Sequence, residues 1–166
     1  MADRHLELKP AGDRLRVRLR HLDAEAAGPL VIVYASDGDS ENAEIDEVFD
    51  QLSPWCTIAA PDLPLCGARS SDKLSAAAFD PQHALSNTLL SDIRLQLRDD
   101  LKLLLAALAE SRRVDQKRSA VLACGRAALA FADWKAAENA LSRIECVADP
   151  AQLLDAARAL RAPLES

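Results

Sequence analysis

The chain has 166 residues, 49% of them hydrophobic, enough for one domain with a buried core and too few for two ordinary ones. Its formal net charge of −6 offers no overall positive field, which argues against nucleic acid or an anionic membrane surface as a partner. The opening residues lack the apolar core of a signal peptide and no later run has the length of a membrane span, so the expected setting is the cytoplasm; abundant alanine and arginine suit a bacterium of high genomic GC content.

The N-terminal stretch reads as a hairpin: "HLELK", a turn at "PAGD", then "RLRVRLRHL". Leu15, Val17 and Leu19 alternate there with Arg14, Arg16, Arg18 and Arg20, so one face is buried and the other basic. The arginine stripe is expected to be the solvated side of a strand, charge that also protects a sheet edge, rather than an anion site. "PLVIVYAS" is an unbroken apolar run of the kind that central parallel strands show. "SENAEIDEVFDQLS" places Ile45, Val48, Phe49 and Leu52 on one helical face, with Ser40 as expected cap. Asp37, Asp39, Glu41, Glu44, Asp46, Glu47 and Asp50 form an acidic segment, expected to be a solvated face rather than a dock for a basic partner.

"WCTIAAPDLP" is a second central strand stopped by Pro61, and "LCGARSSDKLSAAAFDPQHALS" a long irregular connection. From Asn87 to Arg113 a leucine-rich helical period runs through Ile93, Leu97, Leu101, Leu104, Leu105 and Leu108; Leu95 and Leu103 lie off it and suggest contact on a second side. The strand "RSAVLAC", a helix from about Arg126 to Ala140, the strand "SRIECVAD" and the helix "PAQLLDAARALR" complete the order, with Pro150 in the last helix's first turn and Pro163 at its limit. Trp55 and Trp134 sit in strand and helix patterns and are expected in the core. Strands alternating with helices predict an α/β fold: three layers, a mostly parallel sheet of about six strands with helices on both faces, and an antiparallel hairpin in front, as one domain over 1–166.

This order resembles the first two thirds of the α/β-hydrolase fold. "IAAPDLPLCGARSS" is similar to that family's "APDLPGHGRS" phrase, and "VLACGRAALA" to its nucleophile elbow, as in "VGHSLGGALA". The departures are specific. Ala35 and Ser36 stand where the family has His-Gly beside the oxyanion hole, Leu65, Cys66 and Gly67 where it often has Gly-His-Gly, and Gly125 where it has its nucleophile. The strands that carry the family's acid and catalytic histidine have no counterpart, and no histidine follows His83. The resemblance therefore implies a degenerate elbow: Ala123 and Ala127 supply the small neighbours, and Gly125 takes the positive φ without steric cost.

Cys124 precedes the nucleophile position, and its own small-residue places would be Leu122 and Arg126, which do not suit the turn. The four cysteines, Cys56, Cys66, Cys124 and Cys146, form no zinc spacing and are expected as buried reduced thiols. Asp37 and Asp39 have the spacing of a magnesium-binding pair, but the flanking residues fit a polar loop entering a helix better, so neither metal nor cofactor is expected.

Two functions follow as expectations. The first is a non-catalytic, pseudoenzyme-like protein that acts by binding another protein or itself, because "SRIECVAD" is left as an open sheet edge. The second is a small-molecule or anion receptor, or atypical hydrolase, using a crevice at the strand ends lined by Ser36, Asp37, Asp62, Cys66, Gly125 and Arg126.

Overall fold

The computed structural model describes residues 3–10, 13–22, 26–110, 113–135 and 140–165. Among the described residues six strands form one sheet: β1 (Arg4–Leu8), β2 (Leu15–Arg20), β3 (Gly28–Tyr34), β4 (Thr57–Pro61), β5 (Val114–Cys124) and β6 (Arg143–Val147), in the spatial order β1-β2-β4-β3-β5-β6. β3, β4, β5 and β6 are parallel, and the β1–β2 hairpin joins β4 antiparallel. The expected turn residues Ala11 and Gly12 lie outside the described residues.

Two apolar layers cover the sheet. α2 (Asp72–Phe79), α3 (Ser86–Glu110) and α4 (Gly125–Phe131) pack on one face, where Ile93, Leu97, Leu101 and Leu104 of α3 meet Leu30, Ile32, Tyr34 and Val121. α1 (Glu44–Leu52), α5 (Leu153–Ala159) and α6 (Arg161–Glu165) cover the other, where Ile45, Val48, Phe49 and Leu52 meet Val31, Val33, Ile58 and Leu122. β3 and β4 are buried along their whole length, as strands covered on both faces must be. Among the described residues no helix is long and apolar enough to cross a membrane.

Several elements differ from the sequence expectation. The irregular connection after β4 contains a 3₁₀ turn (Gly67–Arg69) and α2, whose weak amphipathicity hid it. α4 stops at Phe131 instead of near Ala140, and residues 136–139 of that expected helix lie outside the described residues. Pro163 does not end the last helix but sits inside the first turn of α6, where a missing N–H costs no helical bond. Ser40 does not cap α1; the Asn42 carboxamide accepts from Glu44 N–H instead. Leu95 is 62% exposed and makes no second packing face. Trp55 is buried, and half-buried Trp134 stacks edge-on against Phe131.

The arginine stripe is not a solvated edge, because β1 lies outside β2. Arg16 pairs with Asp39 and Asp62, Arg18 with Asp3 and Asp46, and Arg20 with Asp3 and Asp50. Arg18 and Arg20 also stack on Phe49, 4.9 and 5.2 Å from the ring centroid. The basic strand and the acidic segment thus satisfy one another. On the opposite face, buried Arg69 bridges Asp13 at 2.7 Å and Asp100 at 2.6 Å. Burial pushes the Asp100 carboxyl above its ordinary range even though Arg69 opposes it.

Removing Arg69 alone strands Asp100 in the core. Arg69→Met is expected to cost about 3–5 kcal/mol in urea unfolding, and Arg69→Met with Asp100→Leu to recover most of the loss. Equal losses in the single and double variants would contradict this account of the pair.

Candidate functional site

The carboxyl ends of β3, β4 and β5 bring the sequence-predicted residues together. β5 ends in extended backbone at Cys124, and Gly125 opens α4 at φ +52°. Ala123 and Ala127 on either side are fully buried. This is the sharp strand-to-helix turn expected of an elbow, and its small neighbours are needed because another segment presses on it. A Cβ on Gly125 would lie 2.5 Å from the carbonyl oxygen of Ser36 and 3.0 Å from its Cα. Real side chains do not tolerate such a contact with backbone, so Gly125 is required by space as well as by φ.

Ser36 fills the elbow. Its carbonyl accepts a 2.9 Å hydrogen bond from Arg126 N–H. Its own N–H donates to Glu44 Oε2 at 3.0 Å, and its hydroxyl to Glu44 Oε1 at 2.5 Å. Glu44, at the start of α1, therefore holds the residue that closes the turn. The sequence pattern predicts a solvated acidic face for Glu44; only the return of α1 over the end of β3 reveals its role.

Asp62 directly follows β4 and is fully buried. It accepts from Ser40 N–H at 2.8 Å and Ala68 N–H at 3.1 Å and pairs with Arg16 at 3.3 Å. Gly67, at φ +54°, lets the chain pass this carboxylate, since a Cβ there would lie 2.6 Å from its oxygen. Leu65 keeps a positive φ of 62° where the resembling phrase has glycine. Cys66 is also buried, so Asp62 and Cys66 pin the loop rather than face solvent, whereas Asp37 and Arg126 are exposed. The Arg126 guanidinium lies 5.1 Å from the Phe79 ring centroid. Asp39 is engaged by Arg16, and among the described residues no group of three or more His, Cys, Asp or Glu is placed to hold a metal.

Beside the elbow, on the α4 side, a groove of about 450 Å³ is lined by Gly125, Ala128, Leu129, Cys146, Val147 and Ala148. The sequence expectation missed it. Leu129 is 51% exposed, and Cys146 is exposed although its apolar surroundings in the sequence suggested burial.

Solved structures share the fold. A cold-adapted esterase from an Arctic intertidal metagenomic library, in complex with polyethylene glycol, superposes with a TM-score of 0.65 at 11% identity over 87% of this chain. Acetyl xylan esterase 1 from Thermoanaerobacterium sp. JW/SL YS485 gives 0.59 at 18% identity over 86%, and a lipase/esterase from Lactobacillus plantarum gives 0.52 at 12% over 80%. The fold is that of the α/β hydrolases. The chain spans 59% of the length of the first of these proteins and 46% of the second. No protein-family model matches it, and no curated protein matches it in sequence.

The thiols separate by access, since Cys56, Cys66 and Cys124 are buried and Cys146 is exposed, although partial burial and Glu145 raise the Cys146 thiol as well. Burial, helped by the nearby Glu44 carboxylate and opposed by Gly125 N–H, pushes Cys124 up to about 11; burial likewise raises Cys66 to about 11 and Cys56 further. Near pH 8 only about one in a thousand Cys124 groups is thiolate. Titration of the native protein with a thiol reagent should give one fast group, lost in Cys146→Ser, and the other three only in denaturant. Rapid native modification of Cys124 would contradict this.

Proposed function

We propose that this chain is a non-catalytic protein on an α/β-hydrolase frame that acts by binding protein. The observation that carries the reading is the Ser36 carbonyl at the elbow. Hydrolases of this fold present a nucleophile at the turn and use the N–H of the next residue to bind the oxyanion. Here the nucleophile position is Gly125 with no space for a side chain, and the Arg126 N–H is already donated. A nucleophile further needs a base. Of the chain's three histidines, His5 on β1 faces Glu41, His21 follows β2, and His83 accepts from Leu85 N–H ahead of α3. The frame keeps the elbow for packing: it lets α4 and the loop after β3 close on one another.

The runner-up, a small-molecule or anion receptor, draws on the groove beside Gly125 and on exposed Arg126. Thermal-shift screening with acyl esters, nucleotides and carboxylic acids separates the two, since a receptor is stabilised by its ligand.

Hydrolysis of p-nitrophenyl acyl esters by wild type, Cys124→Ala and Gly125→Ser tests the main reading. All three are expected to match the buffer blank, and Gly125→Ser to be less stable by about 2–4 kcal/mol from its strained φ and its clash with Ser36. Turnover by wild type that Cys124→Ala abolishes would make the chain an enzyme and overturn the reading.

A further inference from the structure

β6 ends the sheet. It pairs with β5 on one side, and among the described residues no segment pairs with the other. Such an edge offers a row of backbone donors and acceptors to any strand of matching length. Its side chains divide cleanly. Val147 joins the apolar layer that holds α5, so Arg143 and Glu145 lie on that face; Ile144 packs with the layer that holds α4, and Cys146 shares that face and lines the groove with Ala128 and Leu129.

From the charges on this edge we infer that β6 pairs antiparallel with β6 of a second copy, about a two-fold axis at Ile144. Directly opposed residues of an antiparallel pair must lie on the same face, which leaves registers centred on a residue rather than between residues. Centring on Arg143 sets arginine against arginine, centring on Glu145 sets glutamate against glutamate, and centring on Cys146 sets Glu145 against Val147, with no opposite charge facing it. Centring on Ile144 sets Arg143 of each copy against Glu145 of the other, twice, and carries Cys146 and Val147 opposite Ser142 and Leu141, just ahead of the partner copy's strand. Within one chain these two side chains already pair at 3.2 Å while remaining 47% and 36% exposed, so they are available to a partner. The sequence Arg-Ile-Glu is thus complementary to itself about its central residue. The two-fold axis stands perpendicular to the sheet, so the two α4 helices fall in one layer on either side of the seam. Exposed Leu129 and the apolar groove flank that seam, which is where uncovered apolar surface calls for a partner.

This inference gives the protein-binding reading a defined partner and rests on it in that respect alone. Ester turnover by a β6-linked dimer would overturn only the non-catalytic reading, and an inert monomer only this one.

Sedimentation velocity on the full chain at about 100 µM, a concentration that populates even a modest dimer, is expected to give twice the 17.9 kDa of one chain. Glu145→Arg and Arg143→Glu each set like charges opposite one another and should weaken the dimer about tenfold or more, with thermal unfolding little changed. The double swap Arg143→Glu with Glu145→Arg should restore it. Ile144→Cys should form an intermolecular disulfide on oxidation, because opposed Cα atoms at about 4.5–5.5 Å suit that bond. A monomeric wild type, a dimer indifferent to the single reversals, or a double swap that stays monomeric would each overturn the proposal.

Discussion

The hydrogen bond from Arg126 N–H to the Ser36 carbonyl ties the two halves of the sheet's carboxyl end together. β3 and β5 are neighbours, and their ends must diverge into α1 and α4 without leaving the elbow amide unpaired. Placing a carbonyl there solves the packing problem. It also demands a residue without a side chain at position 125 and a clamp on Ser36, which Glu44 supplies through both carboxylate oxygens. The same arrangement removes the donor and the space that acyl-transfer chemistry on this fold would use. The Arg126 amide is thereby committed to the frame.

A second constraint is electrostatic. The arginines of β2 and the acids of the loop and helix after β3 meet across the face that carries α1, with Phe49 beneath two guanidinium groups. Exposed pairs of this kind contribute little singly, but they occupy both strongly charged segments of the chain. The proposed self-association draws on surfaces outside these segments, the β6 edge and the apolar groove beside it.

The parts of this structure that were legible in the sequence are those fixed by local pattern. Unbroken apolar runs marked β3 and β4, the spacing of Ile45, Val48, Phe49 and Leu52 marked α1, and Ala123, Gly125 and Ala127 marked the elbow, because close approach admits few residue types. What escaped depended on contacts distant in sequence. Arg69 reads as a loop residue until α3 brings Asp100 to it. Glu44 reads as a solvated acid until Ser36 is beside it. The β2 arginines read as an exposed stripe because nothing local reveals that β1 lies outside them. α2 was missed since its alanines carry no periodic signal, and α4 was overextended because alanine favours a helix that the fold ends at Phe131.

The central claim is that the elbow is closed by Ser36, and amide hydrogen exchange at Arg126 reads it directly. A donated N–H should exchange about a hundredfold or more slowly relative to an exposed loop amide, and Glu44→Ala should release part of that protection by freeing Ser36. If Arg126 N–H instead exchanges at the rate of an open loop amide in the wild-type protein, the donor is free beside Gly125, and the account of a closed, non-catalytic elbow fails.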